Sequence, residues 1–167
     1  MSKTNLCIIG LSKQFTDNIC KQLAIKMEMF YANIEEIFAY DLMDVGKIEE
    51  ICGIDYLFNE EKSIIRRVCS YENTLINIDY AMLNKDEILE LVAPKCLIIY
   101  LALDQNRFVI EQKNEMLSDN LIAINNEVFG DRDFLCKRIC DICIDCGNFS
   151  NENIVDYTIQ KILEFYS

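Results

Sequence analysis

The residues with the clearest potential for chemistry lie in one interval, Gly10-Leu-Ser-Lys-Gln-Phe-Thr-Asp17, between an apolar run and an amphipathic stretch. A phosphate-binding loop in such a place reads Gly, four residues, Gly, Lys, then Ser or Thr. Backbone amides cradle the phosphates, the lysine neutralises them and the hydroxyl holds magnesium. Here the length and the first glycine persist, but Phe15 stands at the second glycine, Thr16 at the lysine and Asp17 at the hydroxyl. Phe15 removes the backbone freedom that glycine supplies. Asp17, read as lying at the start of the following helix, would occupy the positive dipole end that a phosphate needs. Lys13 lies three positions too early to replace the missing lysine, although its mobile side chain could meet another anion. The plain reading is an ordinary capped strand-to-helix turn.

Two other groups of residues invite a chemical reading. Cys136, Cys140, Cys143 and Cys146 fall within eleven residues, a spacing that superficially resembles zinc or iron–sulfur ligation. The first two are expected on a helix, and the last two should face opposite sides of a strand, so apolar packing is the simpler account. Arg66 and Arg132, if they face inward in so acidic a chain, would suit a bound carboxylate or phosphate. Salt bridges to Glu35 or Asp141 are the structural alternative. The adjacent glutamates Glu35-Glu36, Glu49-Glu50 and Glu60-Glu61 point apart on a helix and read as solvated faces.

The elements that must position these residues alternate along the chain. Asn5 to Gly10 is a continuous apolar run, the mark of a strand buried on both faces. Ile19, Cys20, Leu23, Ala24 and Met27 then recur at helical spacing, with Thr16 or Asp17 available as N-cap. A short strand is expected over 29–32, helical pieces over 34–42 and 47–52 broken near Gly46 and Gly53, and a helix over 60–69. Strands follow at 74–78 and 96–103, separated by a helix over 85–92. Helices over 106–117 and 131–139 flank an extended piece at 121–124, then come a strand at 142–146 and a helix from Asn151 capped by Ser150. Strands separated by helices imply right-handed crossovers and a mostly parallel sheet covered on both sides, a three-layer α/β/α architecture.

Composition narrows the functional classes. The chain has 167 residues, 51% hydrophobic and 26% charged, a balance expected of a single folded domain over 1–167. A net charge of −12 argues against nucleic acid as a partner, because that affinity rests on cationic neutralisation of phosphates. No apolar run approaches the roughly 20 residues of a membrane span, and no secretory leader is evident, so a cytoplasmic location is expected. Nine cysteines in this context are expected to be reduced and buried. With no histidine, proton transfer would fall to carboxylates, Lys, Cys or Tyr.

Taken together, these elements resemble the shikimate kinases, small P-loop kinases of the nucleoside-monophosphate-kinase fold. The best stretch is Arg132-Asp-Phe-Leu-Cys-Lys-Arg-Ile-Cys-Asp141 with the strand and turn that follow, similar to the family's Arg-x-x-Leu-Tyr-x-Glu-x-Ala-Asp helix, with Cys136 in the place of Tyr. Tyr31-Ala-Asn-Ile-Glu-Glu36 resembles Phe-Ile-Asp-x-Asp-Glu, which implies Asn33 at a magnesium-associated position and Glu35 at a substrate-hydroxyl position. Ile65-Arg66-Arg67 resembles the segment whose arginine pairs with the substrate carboxylate, so Arg66 inherits that expectation. Arg107 matches an adenine-side arginine. The glycine-rich turn expected near Leu75 to Tyr80 contains no glycine, and the lid-like segment at about 106–125 lacks the Arg-Pro-Leu-Leu motif. Phosphoryl transfer is largely positioning plus cationic stabilisation, so losing the lysine, the hydroxyl and the lid arginine removes most of it.

The resemblance therefore implies a shikimate-kinase-like pseudokinase that needs no cofactor and serves as a binding or regulatory module for a small acid or a protein partner. The alternative is a working ATP- and magnesium-dependent kinase with Glu35 as base or hydroxyl anchor, Arg66 and Arg132 as an acid clamp and Lys13 as substitute phosphate ligand. A metal-binding or redox-active cysteine protein is the third reading.

Overall fold

The structure, a computed structural model, describes residues 3–167. Five parallel strands, β1 (Asn5–Ile9), β2 (Phe30–Asn33), β3 (Thr74–Asn77), β4 (Cys96–Ala102) and β5 (Ile142–Asp145), form one sheet in the order β2-β3-β1-β4-β5. Leu6 is level with Leu75 on one side of β1 and with Leu97 on the other, which fixes the register. All residues of β1 and β4 are buried, as central strands of a covered parallel sheet must be.

Side chains alternating along β1 feed two separate cores. Leu6 and Ile8 pack with Phe15, Ile19 and Leu23 of α1 (Lys13–Lys26) and with Ile154, Val155 and Ile162 of α9 (Asn151–Tyr166). Cys7 and Ile9 pack on the other face with Ile64, Ile65 and Val68 of α4 (Ile54–Cys69) and Ile88 of α6 (Asp86–Val92). These are the three expected layers. The remaining helices are α2 (Ile34–Leu42), α3 (Val45–Cys52), α5 (Tyr80–Leu83), α7 (Gln105–Asn114) and α8 (Asp119–Ile139).

Several local expectations are corrected. The first helix starts at Lys13 with Ser12 at its N-cap, three residues after Gly10, instead of near Thr16 or Asp17. The reason is Phe15: at helical spacing from Ile19 and Leu23 it extends the apolar stripe one turn earlier and is buried. The break after α2 falls at Met43, which has φ 54, and Gly46 lies inside α3. α4 begins six residues earlier than expected, at Ile54, and so covers Leu57 as well. Residues 121–124 are helical, because α8 runs unbroken for 21 residues from its Ser118 cap. No helix among the described residues is long and apolar enough to cross a membrane.

Candidate functional site at the carboxyl ends of the strands

In an open parallel sheet, ligands bind beyond the carboxyl ends of the strands where neighbouring connections diverge. In this strand order that place is the end of the central strand β1, flanked by β3 and β4. A cavity of about 430 Å³ lies there, bounded by Gly10 and Lys13 below, Tyr80 to one side, and Gln112, Glu115 and Arg132 from α7 and α8 above. That volume is in the range of small-molecule sites. A recess of about 40 Å³ adjoins it through Gly10, Lys13 and Asp79 and is lined as well by Thr16, Asn33 and Glu35. Such a recess has room for a few waters. A wider surface groove of about 920 Å³ around Tyr40, Met43 and Arg67 shares no residue with either.

The interval 10–17 is not a loop. Only Gly10, Leu11 and Ser12 separate strand from helix, and Lys13 to Asp17 are helical. Phe15 and Thr16 are 3% exposed, so both side chains belong to the interior. Thr16 Oγ1 donates to Ser12 O at 2.7 Å, and a Cβ on Gly10 would lie 2.1 Å from the Thr16 Oγ1. Gly10 does not have a positive φ, so what it supplies is room for Thr16. Lys13, exposed at the helix start, pairs with Glu35 at 3.1 Å. This is an open pair of the kind that contributes little to stability.

Asp17 does not sit at the dipole end of α1; it lies in the second turn, and no acidic residue occupies the first. Its carboxylate faces β2, where it accepts hydrogen bonds from Tyr31 Oη and from Asn33 Nδ2 at 3.2 Å and pairs with Lys21 at 2.7 Å. Partial burial pushes the Asp17 carboxyl up, but these three hydrogen bonds outweigh it and hold the group below the usual carboxylate range. Tyr31 Oη in turn accepts from Asn77 Nδ2 at 3.1 Å. Asn33 Oδ1 accepts from Glu36 N as the N-cap of α2, so both ends of that amide are committed. The polar groups of Asp17, Tyr31, Asn33 and Asn77 are thus engaged with one another and with their immediate neighbours.

The first turn of α1 is instead met from above. Glu115, at the end of α7, accepts from Ser12 Oγ at 2.5 Å and from Gln14 N at 2.8 Å through the same carboxylate oxygen. This contact joins residues 101 positions apart and had no signal in the sequence. Arg107 is likewise committed: its guanidinium donates to Phe149 O at 2.6 Å and Gly147 O at 3.1 Å and lies over the Phe15 ring. Arg132 is half-buried at the cavity wall, 5.9 Å from the Tyr80 ring centre, with Nη1 donating to Asn125 Oδ1 at 3.3 Å. Asn125 donates in turn to Gln112 Oε1 at 2.7 Å. Arg132 makes no ion pair among the described residues, whereas Glu35 and Asp141, its expected partners, take Lys13 and Lys3. Arg66 is exposed on α4 and lines neither cavity, because Ile65 takes the inward position. The structure therefore gathers Gly10, Lys13, Thr16, Asn33, Glu35 and Arg132 around the strand ends and leaves Arg66 and Arg107 out.

The four clustered cysteines are not brought together. Cys136 is buried in the core on one side of the sheet and Cys146 in the core on the other, and burial pushes each thiol up to about 12. Zinc requires thiolates converging on one point, which these four positions do not offer. Among the described residues no group of three or more Cys, Asp or Glu is placed to hold a metal ion.

This sheet order, with a helix N-terminus after the central strand and a helical segment arching over it, defines a P-loop-kinase type of α/β fold. Within that class, solved shikimate kinases match nearly the whole chain. The enzyme from Acinetobacter baumannii, solved in complex with shikimate, has a TM-score of 0.79 at 12% identity over 98% of this chain and 94% of its own. Those from Bacteroides thetaiotaomicron and Aquifex aeolicus give TM-scores of 0.78 and 0.74 at 13% and 15% identity, over 96% and 97% of this chain and 98% of each of theirs. The chain has the shikimate kinase fold. No protein-family model and no curated protein matches the sequence.

Proposed function

We propose that this chain is a catalytically inactive protein of the shikimate kinase fold that binds a small organic acid at the strand-end cavity. The reading rests on one observation: positions 13–17 form the start of α1, with Phe15 and Thr16 packed inside. A triphosphate cradle needs a loop whose amides converge and a lysine among them. Here only three residues join strand to helix, too few for such a loop, and the one lysine at the helix start pairs with Glu35. If the missing lysine, hydroxyl and lid arginine were each worth about 2–4 kcal/mol, as single electrostatic donors are in other enzymes, phosphoryl transfer would be negligible. Arg132, half-buried and without an acidic partner among the described residues, supports an anionic ligand, because a desolvated guanidinium is most stable against a carboxylate or phosphate. The working-kinase alternative would have to use Lys13 and Glu35, which neutralise each other.

Calorimetric titration of the purified protein with magnesium–ATP and with shikimate, alongside an assay for ATP turnover, tests the reading. The expected outcome is no turnover and no nucleotide binding at millimolar concentration, with binding of an acid that is lost in Arg132→Ala. Turnover of ATP dependent on shikimate would refute it.

A further inference from the structure

We propose that Cys140 and Cys143 form a redox-active dithiol where α8 meets β5, which a small-molecule disulfide such as glutathione disulfide converts reversibly into an intramolecular disulfide. The proposal is independent of what the strand-end cavity binds.

The strand places the first thiol. Ile142 and Ile144 pack into the core shared with α1 and α9, so Cys143 between them faces the other side of the sheet, level with Tyr100 of β4. Tyr100 and Cys136 belong to the core on that side, and Ile139 and Cys140 pack against it. Cys140 is the C-cap of α8, with its N–H on Cys136 O at 3.2 Å, and the chain bends at Asp141 before entering β5. Asp141 is clamped to β4: its N donates to Ile98 O at 2.8 Å and its carboxylate accepts from Ile98 N at 2.9 Å. The bend holds the two sulfurs on one side of the sheet. The Cys140 S–H has two acceptors within reach, Lys137 O at 3.5 Å and the Cys143 sulfur. Cys-x-x-Cys is also the spacing at which dithiols exchange with disulfides in other proteins.

Reactivity requires access as well as proximity. Of the nine cysteines, Cys52 and Cys143 are exposed and Cys140 is half-buried. Cys69 and Cys96 are hydrogen-bonded to each other in the same way, but both are buried, where an incoming disulfide cannot approach. Cys136, one turn before Cys140, is buried as well. The Cys143 thiol is lowered to about 7 by the hydrogen bond from Cys140 and by the Lys137 ammonium, against partial burial and the carboxylates of Asp133 and Asp145. About half of it is then thiolate at pH 7, against about 3% for a thiol of ordinary pKa. The weaker nucleophilicity of the more acidic sulfur takes back a factor of about five, which leaves exchange about threefold faster.

The exchange balances in two steps. The Cys143 thiolate attacks one sulfur of the small disulfide, forming a mixed disulfide and expelling a thiolate that takes a proton from water. Cys140 gives its proton to solvent and attacks the Cys143 sulfur, expelling the second small thiolate, which is protonated in turn. Two protein thiols lose two electrons and one disulfide is reduced to two thiols. The largest cause that holds the proton on Cys140 is its bond to Cys143. That bond is lost once the Cys143 sulfur sits in the mixed disulfide, so the first step prepares the second. The product ties the last turn of α8 to the start of β5, across the bend that Asp141 clamps.

The test places the reduced chain in buffers of reduced and oxidised glutathione at pH 7, quenches by alkylation and maps the thiols by mass spectrometry. Cys140→Ala and Cys143→Ser are treated beside the wild type, with circular dichroism as the check of folding. The wild type should lose two alkylatable thiols, Cys140 and Cys143, and retain no glutathione on either. Cys140→Ala should stop with one glutathione on Cys143, acquired about threefold more slowly than the wild type loses that thiol. Cys143→Ser should leave Cys140 reduced at the same glutathione ratio. Glutathione retained on Cys143 of the wild type, or both thiols still reduced when glutathione disulfide predominates, would overturn the dithiol. The wild-type map decides alone if a substitution is not tolerated.

Discussion

Replacing Gly10 by alanine puts a methyl group 2.1 Å from Thr16 Oγ1 and 3.3 Å from its Cβ. Thr16 has little freedom to move, being 3% exposed, β-branched within a helix and bonded through Oγ1 to Ser12 O. Either the helix start shifts, at the 1–3 kcal/mol typical of overpacking, or the hydroxyl turns away and loses a bond worth about 1 kcal/mol. Reduced freedom of the unfolded chain returns about 0.4–1 kcal/mol, leaving a net loss of up to about 2 kcal/mol if the helix start shifts and of at most about 0.6 kcal/mol if the hydroxyl turns away. Urea unfolding followed by circular dichroism measures this, and at this chain length the melting temperature should fall by up to about 8 °C. The decisive quantity is the cycle with Thr16→Ala. That change removes the 2.1 Å clash and leaves only the 3.3 Å approach, so the double variant should be more stable than the two single losses predict by about 1 kcal/mol. A Gly10→Ala variant more stable than the wild type, or strict additivity in the cycle, would refute the packing account and return this glycine to a role in ligand approach.

Two further outcomes follow from the titrating groups. Asp17 is held below the usual carboxylate range in the folded chain, chiefly because bonds from Lys21, Tyr31 and Asn33 outweigh its partial burial. The unfolded chain therefore takes up this proton first as pH falls. The stabilisation is complete above about pH 4 and disappears as pH drops through the folded value, so Asp17→Asn should flatten the acid limb of the stability–pH curve. An unchanged acid limb in denaturant titrations at pH 2–5 would contradict this. Among the cysteines, Cys143 is exposed, and a hydrogen bond from Cys140, with help from Lys137, lowers its thiol to about 7 against partial burial. Alkylation read by mass spectrometry at pH 7 should label Cys143 ahead of Cys52, which is also exposed, and faster labelling of Cys52 would refute it.

The scaffold was legible wherever a single physical demand governs a segment. The unbroken apolar runs of β1 and β4 admit no other placement than the middle of a covered sheet, and Ser150 caps the last helix as its spacing predicts. The start of α1 was misjudged because Ser12, Thr16 and Asp17 are all good caps, and the choice among them is made by tertiary burial of Phe15. The stripe Phe15, Ile19, Leu23 carried that signal. The extended piece over 121–124 failed for a related reason: Ile122 is buried on a helix whose neighbours are exposed, a sparse pattern that reads as no period at all. The candidates near the strand ends were legible from topology, since Lys13, Asn33 and Glu35 must follow their strands. Arg66 was not, because two adjacent arginines beside Ile65 leave the inward direction open. Glu115 was beyond reach, as nothing local marks a partner a hundred residues away.

The unbroken course of α8 has a mechanical corollary. At 1.5 Å per residue the 21-residue helix is a rod about 30 Å long. Its far end runs straight into β5, where Asp141 N donates to Ile98 O at 2.8 Å. Arg132 rides on this rod, and the Glu115 turn is hinged to its near end. A tilt of about 10° about the anchored end would carry the first turn some 5 Å, roughly the span of a carboxylate and its hydrogen-bonded partner. An opening of the cavity by such a tilt would need no unfolding, since its pivot would lie at the last strand, away from the residues that line the cavity.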